Sequence, residues 1–319
     1  MIDSVRKTVL SILNKNNYGY ITPADFNLYA KQAQLDIFDD YFYDYNYQIN
    51  KENARASGTG YANIRKGYEE VIDGLSETKF LRNRNILTTD THMFFAPSQT
   101  TTGDDYYLIN RVEIFPTSIT TGNNTLAATN ALVDTGGVNF ITLGVSVGDA
   151  VVNTVTGDAA YVAGVTSNIL LLDGNIFTTD PVGYKIFDAT DRAEAEMVSQ
   201  AKIMQLSISL LTSPTTIFPA YTLDGDYITM YPNTVNEPGQ VLAQYIRYPK
   251  DPKWTYVTLT GGEPVFDSTQ ADYQDFELAL DDQVDLVIKI LQYAGMSIRE
   301  VQAVQFAQAQ EQLNIQEEK

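Results

Sequence analysis

Apolar residues recur at helical spacing near both ends of the chain, whereas the middle has the alternation of β-strands. The residues Thr22-Pro23-Ala24-Asp25 have the pattern of a helix start. The threonine suits the N-cap, the proline suits the first helical position, and the aspartate completes a capping-box-like spacing. We predict a helix of about 25 residues from this point, packing through one apolar stripe. The stripe consists of Leu28, Leu35, Phe38, Phe42, Tyr45 and Ile49.

Further helices are predicted on both sides of the central β region. Residues 4–13 and 64–75 carry apolar side chains at helical spacing. Asp191 and Glu194 have capping-box spacing, which predicts a helix over residues 188–205.

Two helices are predicted near the C-terminal end of the sequence. Residues 276–293 carry one apolar face, Gly295 interrupts the pattern, and residues 298–313 form a last helix with a Gln-rich polar surface. The apolar face of the first comprises Leu280, Val284, Val287, Ile288 and Leu291.

Strand patterns fill the centre of the chain. His92–Ala96 and Tyr106–Phe115 are the first two predicted strands. Residues 117–188 then change in composition, because they are rich in Thr, Val, Gly, Asn and Asp and contain one basic residue, Lys185. Short apolar runs alternate there with Gly and Asn/Asp turns, which is typical of a small all-β module. We interpret this segment as an insertion into the main domain.

Strands also follow the inserted module. Residues 226–231 and 240–248 alternate in character, and we predict that they pair as a hairpin across a Pro- and Gly-containing loop. Residues 206–211 are predicted to be a strand. Loops are predicted over residues 51–63 and 249–269.

The order of these elements indicates an α+β fold. We expect a helical bundle from the N- and C-terminal helices, an antiparallel β hairpin or sheet, and an inserted small all-β domain. The predicted divisions are 1–116 for the helical part and first strands of the main domain, 117–188 for the inserted β domain, and 189–319 for the remaining helix, hairpin and C-terminal helices.

Charge is distributed unevenly along the 319 residues. The chain has 40 acidic and 21 basic residues, one histidine, no cysteine and a net charge of −19. Residues 1–66 hold seven acidic and eight basic residues, so the other 33 acidic and 13 basic residues carry a charge of −20. Such a balance argues against binding of nucleic acid, which needs a basic surface. The absence of cysteine excludes disulfides and thiolate metal sites.

The sequence has neither the pattern of a signal peptide nor that of a membrane span. The bases at the N-terminus precede an apolar run that is too short for a signal peptide, and no stretch approaches the roughly 20 apolar residues of a membrane span. We expect a protein made in the cytoplasm, without a membrane partner. The 21 tyrosines suit extensive protein–protein contacts.

One sequence motif suggests hydrolase chemistry. Gly144-Val145-Ser146-Val147-Gly148 matches the G-x-S-x-G pattern, which requires a strand–turn–helix elbow and a downstream histidine. Ser146 is followed by another β-like run, and the single histidine, His92, lies upstream. We therefore predict a turn before a strand and no enzymatic activity.

Other polar clusters have equally simple interpretations. His92 has no carboxylate partners at metal-binding spacing, so a packed or hydrogen-bonded role is expected. Asp224-Gly225-Asp226 lacks the later ligands of a calcium loop and is predicted to be a tight turn. Gly58-Thr59-Gly60 lacks the third glycine of a dinucleotide loop. Neighbouring carboxylates at Asp39-Asp40 and Asp281-Asp282 point in different directions on a helix and are expected to be solvated or capping residues. No cofactor or metal is predicted.

An aromatic run near the N-terminus permits two interpretations. Phe38, Tyr41, Phe42, Tyr43, Tyr45 and Tyr47 could stack on nucleic-acid bases, but half of the run falls on the apolar stripe and four nearby aspartates would repel phosphate. Core and subunit interface is the favoured interpretation. The candidate interface residues are Leu28, Leu35, Phe38, Phe42, Tyr45, Val284, Ile288 and Leu291.

Short segments in both halves of the chain have a recognisable pattern. Near the N-terminus they are residues 2–9, 19–27 and 33–38, and in the second half they are the segment from Tyr231-Pro232 to Tyr245-Ile246-Arg247-Tyr248-Pro249 and residues 280–287. These segments resemble virion structural proteins of crAss-like and related short-tailed bacteriophages. The resemblance touches both ends of the main domain and says little about residues 117–188.

The resemblance implies a neck or tail ring protein of the virion, assembled around the DNA channel between the portal and the tail. Such rings are commonly twelve-fold in short-tailed phages. The implied partners are further copies of the chain, the portal protein, other ring or tail proteins, and genomic DNA that passes through the lumen without specific binding. The ring would link head to tail and extend the DNA conduit for genome retention and ejection.

The residues themselves agree with this expectation. Contacts between unlike patches of one chain close into a ring, and an acidic wall lets DNA slide because it repels phosphate. We expect residues 1–66 to supply helical packing between subunits and the remainder to supply the acidic wall and exterior. Two alternatives stay open: a peripheral module in which residues 117–188 or the tyrosines recognise a glycan or host surface, and a hydrolase that uses Ser146.

Overall fold

A computed structural model describes residues 1–13, 21–53, 64–84 and 92–298. The chain folds into two units, one made of Met1–Leu75 with Pro249–Lys319 and the other of Ser76–Tyr248. The α+β class is confirmed, because N- and C-terminal helices pack together and two seven-stranded sheets lie between them in sequence. The predicted domain divisions at residues 116 and 188 stay a prediction.

The first unit is a helical bundle with one small hairpin. Its core contains residues from three helices together with Trp254 and Phe276. The longest helix packs on the C-terminal one, which also contacts the first. The elements are α1 (Ile2–Leu13), α2 (Pro23–Asn53), α3 (Ile64–Asp73), β15 (Tyr256–Thr258), β16 (Pro264–Phe266), a 3₁₀ turn (Leu280–Asp282) and α5 (Gln283–Ile298).

The start of α2 is as predicted, but its packing face is not. The Thr22 hydroxyl accepts a hydrogen bond from the Asp25 amide at 3.2 Å, as an N-cap should. The helix extends to 31 residues. Leu28, which the predicted stripe placed in the core, is exposed. The predicted stripe was placed on the wrong side of the helix because it was chosen from large apolar residues. Small residues, Ala30 and Ala33, form part of the true packing surface. The buried face is Phe26, Ala30, Ala33, Ile37 and Tyr41.

The second unit contains two sheets of seven strands each, and one of the two curls into a half-barrel. The first sheet has the order β1-β14-β3-β11-β12-β13-β2, and α4 (Gln200–Ile208) packs beside β12. Its strands are β1 (Ser76–Phe80), β2 (Met93–Phe95), β3 (Tyr106–Ile114), β11 (Ala193–Met197), β12 (Ala220–Asp224), β13 (Tyr227–Tyr231) and β14 (Val241–Arg247).

The second sheet is formed within the segment predicted to be an inserted all-β module. Its order is β4-β10-β7-β8-β9-β6-β5, and every pairing is antiparallel. Its inner face has its own apolar core, which includes Phe140, Phe177 and Tyr184. The strands are β4 (Ser118–Asn123), β5 (Leu126–Ala128), β6 (Ala131–Val133), β7 (Ala150–Asn153), β8 (Ala159–Val165), β9 (Ile169–Leu172) and β10 (Gly183–Phe187).

The two sheets meet through a third apolar cluster. Phe115 and Leu242 from the first sheet pack with Val152 and Phe187 from the second. An ion pair between Lys185 and Glu237 adds a polar contact beside this cluster. We name these contacts, the apolar cluster of Phe115, Val152, Phe187 and Leu242 with the Lys185–Glu237 ion pair, the seam between the two sheets.

The predicted hairpin of residues 226–231 and 240–248 is wrong. β13 pairs with β12 and β2, whereas β14 pairs with β1 and β3. The true hairpin joins β12 to β13 through Gly225-Asp226, where Gly225 has φ +57° and so occupies a conformation that glycine favours. The predicted tight turn at this Asp-Gly-Asp sequence is confirmed.

Four other predictions need correction. The helix over 188–205 is replaced by β11 and by α4, which begins after the Ser199 N-cap. The strand over 206–211 is wrong, since α4 continues to Ile208. The loop over 249–269 contains the β15–β16 hairpin. The C-terminal helix starts at Gln283, later than predicted, and passes through Gly295 without interruption.

Candidate functional site

The predicted subunit-interface residues occupy three different environments. Leu28 and Val284 are exposed, Leu35, Phe42 and Tyr45 are half-buried, and Phe38, Ile288 and Leu291 are buried. Leu291 belongs to the core of the first unit. Exposed members remain accessible to a partner, whereas Leu291 packs within its own chain. The role of the whole set in subunit contacts stays a prediction.

Ser146 lies in a turn before β7, as predicted. Its amide donates to the buried Asp149 carboxylate at 2.7 Å, and its hydroxyl donates to the Gly144 carbonyl oxygen at 3.4 Å. Strand β7 follows at Ala150, so the strand–turn–helix elbow of serine hydrolases is absent from this place.

His92 has the contacts of a packed residue. The His92 ring lies 5.9 Å from the Tyr231 ring, and its carbonyl oxygen accepts from the Met230 amide at 2.9 Å. Gly58-Thr59-Gly60 and the predicted helix 298–313, beyond its first residue, lie outside the described residues. Within the described part of the chain, no three histidine, aspartate or glutamate side chains converge as a metal-binding group.

The acidic residues of α2 form a cluster of like charges. Asp39 and Asp40 are exposed, as expected for solvated carboxylates. Burial, followed by the charges of Asp36 and Asp40, raises the pKa of Asp39. Burial and the charge of Asp40 also raise the pKa of Asp44. Lys289 on α5 offsets part of this charge by pairing with Asp40 at 2.9 Å.

Asp282 differs from its exposed neighbour Asp281, because Tyr41 donates a hydrogen bond to it. Burial raises the pKa of Asp282, the Tyr41 hydrogen bond opposes that effect, and the charges of Asp285 and Asp281 add to it, so that the net shift is upward. Burial and the nearby carboxylate also raise the pKa of Tyr41.

The raised pKa makes Asp282→Asn a stabilising change at neutral pH. A carboxyl group whose pKa rises on folding favours the folded state below its ordinary value of 3.8, and this contribution is lost as the pH rises through the raised value. Asparagine keeps the acceptor for Tyr41 but cannot ionise. We expect urea unfolding to show D282N more stable than the wild type at neutral pH and equal to it well below pH 3.8. The Glu263→Gln variant removes the same charge from an exposed position and serves as the matched control.

A cavity of about 370 Å³ lies at one end of the first sheet. The rings of Phe95, Tyr106 and Tyr227 line it together with the carboxylates of Asp105 and Asp226. Hydroxyl-bearing residues complete the lining, namely Ser98, Thr100 and Thr101. Aromatic rings beside hydroxyl and carboxylate groups suit the apolar faces and hydroxyls of a sugar ring.

The most unusual surface is an uncharged apolar segment after the start of α4. We name residues 204–218 the apolar arm. It contains no charged residue, and six of its large apolar side chains are 72–101% exposed. These side chains are Met204, Ile208, Leu210, Leu211, Ile217 and Phe218.

The apolar arm is folded rather than extended. Ile203 anchors its start in a small core with Val198 and Ala220. A turn forms where the Ser213 amide donates to the Ser209 carbonyl oxygen at 2.8 Å, and a second forms between Thr215 and Phe218. Its exposure is therefore a feature of an ordered segment. Sequence reasoning missed it by interpreting residues 206–211 as a strand, although the absence of charged residues over 204–218 was apparent from the sequence.

No protein-family model matches the chain, and a search of curated proteins also finds no match. None of the described helices is long and apolar enough to cross a membrane.

Proposed function

We propose that the protein is a structural component of a bacteriophage virion that forms a ring in the neck or tail near the portal. In this role it links head to tail and extends the DNA conduit. The observation that carries the proposal is the apolar arm, because six ordered and exposed apolar side chains on one uncharged segment need a protein partner. The resemblance of several segments to structural proteins of short-tailed phages is the reason for proposing this particular assembly.

The area of the arm suits a subunit contact. A large apolar side chain removes roughly 100 Å² from water when it is covered, so the six account for about 600 Å². A standard protein–protein interface covers about 800 Å² on each partner. The arm could therefore supply most of one side of such an interface.

Charge supports the conduit part of the proposal. With a net charge of −19, the subunit repels the phosphate backbone except where basic residues cluster. We propose that acidic residues line the lumen and allow DNA to slide. The proposed partners are further copies of the chain, the portal protein and adjacent ring or tail proteins. Genomic DNA would pass through the lumen without specific binding. Twelve-fold symmetry is proposed from the resemblance alone.

The decisive experiment locates the chain in intact particles. We expect electron microscopy of purified virions to show this fold as a closed ring between portal and tail, and native mass spectrometry of the purified protein to give a discrete oligomer. If the protein is absent from purified virions, the proposal is refuted. A basic lumen in a confirmed ring would refute the sliding argument alone.

The cavity in the first sheet favours a second candidate function, recognition of a glycan at the particle surface. The Tyr227 ring and the Asp105 carboxylate would be the sugar-facing groups. In that case the protein should bind members of a glycan array, and Tyr227→Ala should abolish binding. If the protein binds no glycan on the array and lies inside the neck of the particle, this alternative is excluded.

A further inference from the structure

The second sheet has a face that is apolar where solvent-exposed strands should be polar. At its β5 end, Leu132 and Leu170 point into the sheet's own core. Their neighbours along each strand must point to the opposite side, because side chains alternate across a strand. These neighbours are apolar as well, and we name them the outer face: Leu126, Ala128, Ala131, Val133, Ile169 and Leu171.

Strand register brings the outer face together as two rows. Leu126 pairs with Val133, which pairs with Ile169. The second row joins Ala128, Ala131 and Leu171 in the same manner.

The outer face is partly open to solvent. Leu126 and Leu171, at its margins, are each more than half exposed in the single chain, whereas Ala131 and Val133 in the middle strand are buried. An antiparallel sheet with one face in water normally alternates apolar and polar residues, whereas strands covered on both sides are apolar throughout. The outer face therefore has the composition of a covered surface.

We propose that the outer face of one subunit binds the apolar arm of the next subunit in the ring. This inference rests on the proposed function and names the contact that would close the ring. Two unlike patches on one chain form a head-to-tail interface, and repetition of such an interface around an axis gives a closed ring.

Charge restricts the places where a second copy of this chain, the occupant required by a ring, can bind. Two subunits that each carry a charge of −19 repel one another, and this repulsion is smallest where the surfaces that meet carry no acidic groups. The apolar arm has no charged residue, and the segments that form the outer face, 125–133 and 167–172, have none either. Both patches are therefore places where like-charged copies can meet.

Cross-linking tests the contact directly, because the chain has no cysteine of its own. Leu211→Cys on the arm and Leu171→Cys on the outer face are produced together with different tags and treated with a short bismaleimide. We expect cross-linked dimers that carry both tags. Neither variant alone should cross-link, since arm does not meet arm and face does not meet face.

Charge substitutions give an independent measurement. Leu210→Asp combined with Leu211→Asp, or Leu171→Asp alone, should weaken self-association at least about 30-fold, as expected for side chains central to an interface. Val155→Asp is the matched control, because Val155 is 75% exposed in the same unit but lies outside both patches. It should assemble as the wild type does. Circular dichroism should give the same spectrum for all variants.

The outcomes separate this inference from the proposed function. If the wild type forms a ring but the two cysteine variants do not cross-link, or if L211C cross-links to itself, the arm–face contact is refuted and the ring stands. If the wild type stays monomeric at every concentration, the contact is refuted, and the presence of the chain in virions decides the proposed function separately.

Discussion

Replacing Gly239 with alanine should be one of the two most damaging single substitutions that we predict. Gly239 has φ +74°, a backbone conformation that costs an alanine about 1–2 kcal/mol. A Cβ atom there would lie 2.0 Å from Cγ2 of Val152, which is a steric overlap in a packed seam. Overpacking typically costs a further 1–3 kcal/mol, so we expect a total loss of about 2–5 kcal/mol in the free energy of unfolding.

The damage should reach function because Gly239 lies where the two sheets of the second unit meet. Val152 belongs to the apolar cluster shared by both sheets. The same loop carries Glu237, the partner of Lys185. The apolar arm lies in the chain between β11 and β12 of the first sheet, and the outer face belongs to the second sheet. A shift at the seam would therefore misalign the two patches that we propose to join subunits.

Further variants identify the cause of the expected loss in the free energy of unfolding. Gly225 also has a positive φ, +57°, but an added Cβ would have no atom within 4 Å, so Gly225→Ala should cost only about 1–2 kcal/mol. Adding Val152→Ala to Gly239→Ala should cost less than the sum of the two single changes, because the alanine at 152 removes the overlapping methyl group. Urea unfolding monitored by circular dichroism measures the wild type, the three single variants and the double variant. Equal losses for the two glycine variants would contradict the steric explanation.

Signals that depend on local chemistry were predictable from the sequence. Thr22-Pro23 marks the start of α2 because capping involves residues a few positions apart. The Asp-Gly-Asp turn is likewise a local backbone requirement at Gly225. The α+β class and the β character of residues 117–188 followed from composition and alternation over long windows.

Features that depend on distant partners were not predictable in this way. Asp191 and Glu194 imitate a helix start, but Ala193 pairs with Ile114 in the first sheet, and that pairing decides the conformation. Strand β1 contains one apolar residue, Phe80, and so gave no alternating apolar pattern. It forms because Ser76–Phe80 lies at the sheet edge beside β14.

The candidate site was the least predictable part of the molecule. A charge-free apolar run such as the arm has the same composition whether it is a core strand or an exposed surface, and only the folded chain distinguishes the two. The outer face needed the register of three strands, since the pairing of Val133 with Ile169 joins distant parts of the sequence. Interface residues chosen from helical periodicity alone included Leu291, which packs inside its own unit.

Replacing Trp254 with alanine should destabilise the first unit by about 4 kcal/mol, within the range of large-to-small changes in protein cores. Trp254 is 2% exposed and stacks with the rings of Tyr256 and Phe266. The Arg6 guanidinium lies 3.8 Å from the centroid of the tryptophan ring and is itself buried. Truncation therefore leaves a cavity and removes the π face that compensates a buried cation.

Conservative variants separate the contribution of the Trp254 aromatic ring to stability from that of its indole hydrogen bond. Trp254→Phe keeps an aromatic face over Arg6 but removes the indole N–H that donates to Asp3 at 3.1 Å, so it should cost about 1–2 kcal/mol. Arg6→Met removes the cation and keeps much of the apolar stem. If the cation–π contact matters, Trp254→Ala should cost less in the Arg6→Met background than in the wild type. Urea unfolding monitored by far-ultraviolet circular dichroism follows every variant, since this tryptophan is the only one in the chain. An equal cost in both backgrounds would show that packing alone makes Trp254 important.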